Sequence, residues 1–161
     1  GFGLVLATLS TFRVSVAGAA LGVATAALRE AVALTSRRHQ FGRPLSDIGA
    51  VGQLLGRSAV DLEMARSLTY RAASAASADP RAALELSSMA KVGATEACAV
   101  IVDRAVQVMG RHGLVRGSVV ERCYRAARPM RIYEGATEVL LDQIASQLKR
   151  DHLSGQSGAA T

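Results

Sequence analysis

The stretch Arg131-Ile132-Tyr133-Glu134-Gly135-Ala136-Thr137-Glu138 sets a carboxylate in a glycine-flanked break between two helical patterns. Pro129 interrupts the pattern upstream, so Glu134 is expected on a loop and not on a helix face. A carboxylate displayed this way can serve as a general base. A loop lets it approach a weakly acidic carbon closely, and a dry cleft raises its affinity for the proton. A plain surface acid is the competing reading for any glutamate beside a glycine.

Other residues also have chemistry in them. Arg38, Gln40 and Phe41, within Arg38-His39-Gln40-Phe41-Gly42-Arg43-Pro44-Leu45, join a guanidinium suited to a pyrophosphate to an amide and a ring that could cradle an adenine nucleotide. The same cations could instead complement the C-terminal dipole of the helix before them. Gln107 and Gly110, within Gln107-Val108-Met109-Gly110-Arg111-His112-Gly113, close a helical pattern at a glycine. That is either a simple helix stop or a turn whose backbone can approach a ligand. Arg13 is a lone cation near the start of a long apolar helix, readable as a snorkelling side chain or as a site residue. His39, His112 and His152 lack ligand spacing, so no metal site is expected.

Helices must position these groups. From Val14 onward, Ala17, Leu21, Ala24, Leu28 and Ala31 recur at spacings of four and three, marking one face of a long helix. Val51, Leu55, Ser58, Leu62, Ala65 and Leu68 repeat the pattern in a second helix that Ala78-Asp79-Pro80 ends. A third is expected from Pro80 or Arg81 to Gly110, with the proline tolerated in its first turn. Ser118 should cap a shorter fourth helix running to Arg128, and a fifth should run from Thr137 to Arg150. No strand-like alternation is evident. The predicted architecture is all-α: an antiparallel, up-down four-helix bundle over residues 1–150, with short extra helices at its C-terminal end. Residues 151–161, rich in Gly, Ser and Ala, are expected to be a disordered tail.

Composition supports one helical domain. Half of the 161 residues are apolar but only 4% are aromatic, so Ala, Leu, Val and Gly must fill the core. Cys98 and Cys123 lie in helical patterns without metal-like spacing and read as buried thiols in a reducing, cytoplasmic setting. The charge-free runs 1–12 and 14–28 fall short of the about 18 apolar residues of a membrane span, and no membrane association is expected. The chain opens at Gly1 with no leader pattern and is expected to be part of something longer. The net charge of +6 resides in one window, where Arg104, Arg111, Arg116, Arg122, Arg125, Arg128 and Arg131 face only Glu121. A nucleic-acid-binding bundle would use such a window on phosphates, but it shows no recognition-helix turn and few aromatics for stacking. No nucleic acid is expected as a partner.

The Tyr133-Glu134-Gly135 signature, the Arg38–Leu45 segment and the Gln107–Gly113 turn together resemble, in order and spacing, the C-terminal domain of the flavin-dependent acyl-CoA dehydrogenases. The resemblance runs from about Thr11 to Lys149. It implies α,β-desaturation of an acyl-CoA thioester, with Glu134 removing the α-proton while the β-hydride passes to FAD. It places Arg13, Tyr133 and Gly135 near the acyl-CoA. Arg38, Gln40, Phe41, Gln107 and Gly110 would contact the FAD of a neighbouring subunit, and Thr137 and Glu138 join the cofactor-binding set.

Some members of the family place the base just ahead of the arginine that matches Arg13. That position here is Phe12, and neighbouring Ser10 and Thr11 carry no carboxylate. Two residues depart from the family pattern. Arg111 stands where a second glycine is usual and would be strained if that position required positive φ. Ala136 stands where a threonine is usual, a contact Thr137 could take over. The implied partners are acyl-CoA, an electron-transfer flavoprotein and further copies of the chain in a homotetramer. The family's N-terminal helical domain and middle β-domain are absent, so this fragment is expected to be inactive alone. The alternative is a non-catalytic, tetramer-forming bundle of an acyl-CoA dehydrogenase-like complex, against which the presence of both Glu134 and Arg38 argues.

Overall fold

A computed structural model describes the backbone of residues 2–158 and the side chains of residues 4–154. Three long helices dominate: α1 (Phe2–Arg37), α2 (Gly49–Ala78) and α3 (Leu84–Met109). The shorter α4 (Val119–Met130) completes the bundle against α1 and α3, and α5 (Thr137–Gly158) packs on α3. The all-α bundle predicted from periodicity is the observed fold, with α3 at its centre.

The directions of the helices follow from which residues meet. Ser10 faces Ser87, Arg13 faces Ser88, and Cys98 lies within hydrogen-bonding reach of the Ala24 backbone, so α1 and α3 ascend together. Arg104, late in α3, meets Asp61, early in α2, so α2 runs opposite to α3. The core is built from small side chains. Ala17, Ala20, Ala24, Ala27 and Ala31 of α1 and Ala90, Ala94 and Ala105 of α3 are each 2% exposed or less, which brings the helix axes close and leaves little room for a residue to be enlarged. Ser58, Leu62, Ala65, Thr69, Ala72 and Ala76 supply the buried face of α2.

Several boundaries differ from those read in the sequence. The α3 helix begins at Leu84 and not at Pro80, because Asp79 Oδ1 accepts from the backbone N–H groups of Arg81 and Ala82 and holds residues 80–83 in a turn. Ser118 does cap α4, its hydroxyl accepting from Glu121 N at 3.3 Å, but the helix carries Pro129 in its last turn and ends at Met130. The α5 helix continues past Arg150 to Gly158. Residues 151–158 are therefore helical and not a disordered tail: Gln147 Nε2 bridges one turn to Asp151 Oδ1 across the expected boundary. The rest of that expected tail, residues 159–161, lies outside the described residues.

A two-residue ribbon that the sequence pattern did not reveal follows α1. Strand β1 (His39–Gln40) pairs antiparallel with β2 (Arg43–Pro44). The Phe41-Gly42 corner has φ of 54° and 77°, the positive pair that a type I′ hairpin turn requires.

The charge-free runs also understated α1, which is long and apolar enough over residues 4–37 to cross a membrane. In this fold its alanine face meets α3, and Arg13, far from marking a polar break, is itself buried.

Candidate active site

Glu134 sits in the loop between α4 and α5, as its flanking residues predict, and the loop is closed from within. Thr137 N donates to Arg131 O at 3.1 Å, and Ile132 N and Tyr133 N both turn back to Pro129 O. Glu96 of α3 clamps the two ends, its Oε1 accepting from Arg131 Nε and from Thr137 Oγ1, each at 2.8 Å.

Two buried cations reach into the middle of the loop. Arg13 of α1, only 6% exposed, donates from Nε to Glu134 O at 3.2 Å and from Nη1 to Ser88 Oγ at 2.9 Å. Lys91 of α3, fully buried, donates from Nζ to Gly135 O at 2.7 Å. Desolvation pulls the Arg13 pKa below its ordinary value, opposed by the negative field of Glu134. Desolvation does the same to Lys91, reinforced by Arg13 and opposed by Glu96, Glu134 and Glu138. Arg13 is thus not a snorkelling cation at the end of the bundle.

The backbone between these anchors is strained. Glu134 has φ of 56°, and it and Phe41 are the non-glycine residues with positive φ among those described. Such a conformation costs on the order of 1 kcal/mol and persists where surrounding contacts impose it. Gly135, at φ of 105°, could not readily be any other residue, since an added Cβ would lie 2.8 Å from Leu140 Cδ2 and Leu140 is fully buried. Phe12, next to Arg13, and Ile132 and Tyr133, just before Glu134, expose apolar surface.

The remaining predicted site residues divide by location. Tyr133 and Glu138 are exposed at this end, whereas Thr137 is buried with its hydroxyl donated to Glu96, leaving only oxygen lone pairs for any ligand. Arg38, Gln40 and Phe41, past the C-terminus of α1, and Gln107 and Gly110, in the last turn of α3 and just after it, lie at the opposite end of the bundle. From Arg13 to Arg38 is roughly 37 Å along α1 at 1.5 Å per residue. Phe41 is 89% exposed at the hairpin tip, Gln40 and Gln107 are exposed, and Gly110 turns the chain at φ of 56°. Arg111 is not among the residues with positive φ, so the glycine it replaces is not conformationally required.

Lys91, Glu96 and Ser88 were not foreseen. The signal was there, because Ser87, Lys91, Thr95 and Cys98 recur at helical spacing on the face that also carries Ala90 and Ala94. A lysine on such a face needs a partner. Among the described residues no cluster of His, Cys, Asp or Glu could hold a metal ion. Of the arginine-rich window, Arg104 pairs with Asp61, Arg125 with Glu121 and Arg131 with Glu96, and Arg122 caps the Gly117 carbonyl. Four of its seven arginines are thus engaged within the fold.

The family described as acyl-CoA dehydrogenase, C-terminal domain, matches residues 1–149. This chain belongs to that family. It is 38% identical over 154 residues to the short-chain specific acyl-CoA dehydrogenase, mitochondrial, of Bos taurus, covering 96% of this chain and 37% of that protein. It is 40% identical over 139 residues to the CarC subunit of the caffeyl-CoA reductase-Etf complex of Acetobacterium woodii, covering 86% of this chain and 36% of that protein. Among solved structures, butyryl-CoA dehydrogenase from Megasphaera elsdenii superposes with a TM-score of 0.86 at 34% identity, over 92% of this chain and 38% of that one. The acyl-CoA dehydrogenase C-terminal domain thus accounts for the whole bundle, and the chain spans little more than a third of these relatives.

Proposed function

We propose that this domain forms one wall of the active site of a flavoprotein that desaturates an acyl-CoA thioester, with Glu134 as the general base. The observation that carries this reading is the way Glu134 is held. Two buried cations grip the carbonyls of residues 134 and 135, so the backbone is fixed in a strained conformation without tying the carboxylate to either bond. A base so fixed takes the α-proton onto a carboxylate oxygen, and the α-carbon electron pair left behind forms the new C=C bond as the β-hydrogen leaves with its own pair. Exposed Tyr133 and the close backbone approach at Gly135 suit the thioester end of the substrate. Arg13 acts from behind, by fixing the loop.

FAD, when bound, supplies the acceptor for that hydride. The residues present fit such a group. An exposed aromatic ring at a hairpin tip, the Gln40 and Gln107 amides, the Arg38 guanidinium and the open turn at Gly110 are the donors and surfaces a dinucleotide needs. They lie too far along the bundle from Glu134 to act on the same reacting atoms, which supports their serving the site of a neighbouring subunit in a homotetramer. An electron-transfer flavoprotein is the proposed redox partner, in line with the Etf complex named for the Acetobacterium relative. That relative is named a reductase, which also favours the reverse direction, in which Glu134 returns a proton to the α-carbon.

The test is anaerobic mixing of the full-length protein with acyl-CoAs of increasing chain length, following loss of oxidised-flavin absorbance. Bleaching by at least one thioester supports the reading. A flavoprotein that no acyl-CoA reduces, and that no enoyl-CoA reoxidises, removes it. The bundle alone should show neither reaction.

A further inference from the structure

We infer that Lys91 is a positioning residue for the base, drawing the Gly135 carbonyl into the bundle and thereby setting the direction in which Glu134 presents its carboxylate. This rests on the assignment of Glu134 as the base. In an extended chain, neighbouring residues face opposite sides, but here the carbonyls of Glu134 and Gly135 both turn inward, to Arg13 on α1 and Lys91 on α3. The dihedrals between these two carbonyls are those of Gly135, which accordingly takes φ of 105°, and Glu134 just before it takes φ of 56°. Arg13 alone fixes one carbonyl and leaves the peptide plane after it free to rotate. Lys91 fixes the second and removes that freedom.

The stability of the bundle does not account for this lysine. Lys91 is fully buried on the part of the α3 face, from Ser87 to Cys98, whose other buried residues are alanine, serine, threonine and cysteine, where a charge is expensive and a methionine would pack. Its charge faces Arg13 from α1, Glu96 from its own helix, Glu134 from the loop and Glu138 from α5. These are the groups that define the site. Its contribution is therefore directed at the loop.

The experiment uses the full-length flavoprotein carrying Lys91→Met, with Glu134→Gln in parallel. Lys91→Met should keep the acyl-CoA KM within about threefold while flavin bleaching at saturation slows roughly 10- to 100-fold, the scale expected when a reacting group is misplaced by about an ångström. Amide hydrogen exchange, which needs no turnover, should quicken in residues 131–137 and stay unchanged in the middle of α1 and α2. Bleaching at the parent rate, with only the melting temperature lowered, overturns the inference and leaves Lys91 a structural residue. If Glu134→Gln also bleached at the parent rate, the base assignment itself would fall. If Glu134→Gln is inert and Lys91→Met is normal, only the role given to Lys91 falls.

Should Lys91→Met not fold, Lys91→Arg decides the question through its pH profile. Burial lowers the Lys91 pKa, so the parent enzyme should lose bleaching rate as pH rises through that value and the ammonium is lost. The guanidinium of Lys91→Arg does not titrate there, and its profile should lack that limb. Identical alkaline limbs in the two enzymes overturn the proposal.

Discussion

Arg13 holds Glu134 by its backbone: the guanidinium Nε donates to the Glu134 carbonyl oxygen at 3.2 Å, bridging 121 residues of sequence. Placement of the loop therefore does not depend on the chemistry of the side chain it carries. Glu134→Gln keeps side-chain size, backbone anchors and flavin binding while removing the base. In the full-length enzyme it should slow flavin bleaching by acyl-CoA on the order of 100-fold to 10,000-fold. Glu63→Gln, exposed on α2, is the control and should stay within a fewfold of the parent.

The strain at residue 134 gives a second expectation. Replacing Glu134, at φ of 56°, with glycine relieves roughly 1 kcal/mol of backbone strain, offset in part by the greater freedom of the unfolded chain. Glu134→Gly should thus melt no lower than the parent while losing activity. Gly135→Ala, at φ of 105° and facing buried Leu140, should be destabilised by about 1–3 kcal/mol. Thermal melts of the isolated bundle read both. A melting temperature for Glu134→Gly well below the parent would show that the carboxylate, and not the carbonyl anchors, holds the loop.

Much of this was legible in the sequence for physical reasons. Ala17, Ala24 and Ala31 fall on one face because helical periodicity follows directly from burial, and Glu134 announces itself because glycine and proline punctuate the chain around it. What escaped depended on contacts between distant segments. A sequence pattern marks Lys91 as a charge on a core face, but only folding brings it to Gly135, 44 residues away. Glu96 likewise reads as an ordinary helix carboxylate until it is seen joining Arg131 to Thr137. The start of α3 was misplaced because a first-turn proline is compatible with a helix, and the Asp79 side chain favoured a turn.

The separation of Arg38 from Glu134 along α1 predicts complementation between subunits. Full-length Arg38→Ala and Glu134→Gln proteins, each nearly inactive, should regain activity when dissociated and reassembled together. Within a mixed oligomer some sites then draw Glu134 and Arg38 from two intact halves. The isolated bundle should bind FAD weakly by fluorescence titration. No gain over the sum of the parents on mixing would mean that each chain serves its own flavin.

Alkaline stability should report on the α3–α4 contact. Burial pushes the Cys98 thiol from 9.0 up to about 12, with Cys123 adding in the same direction. Above pH 9 the unfolded chain releases this proton while the folded chain holds it until about pH 12. The stabilisation is thus complete below pH 9 and is lost progressively across that window. Urea midpoints of the parent should fall relative to Cys98→Ala between pH 9 and 12, and iodoacetamide should not label Cys98 in the folded protein at pH 8.

Anchoring a loop through main-chain carbonyls has an evolutionary consequence. Every amino acid supplies a carbonyl, so Arg13 would grip whatever residue stood at position 134, and Lys91 the glycine after it, provided that residue tolerated the left-handed turn. The scaffold can survive loss of its acid and wait for another, which leaves the chemistry at this position free to be discarded, exchanged or recovered one substitution at a time while the bundle that presents it persists.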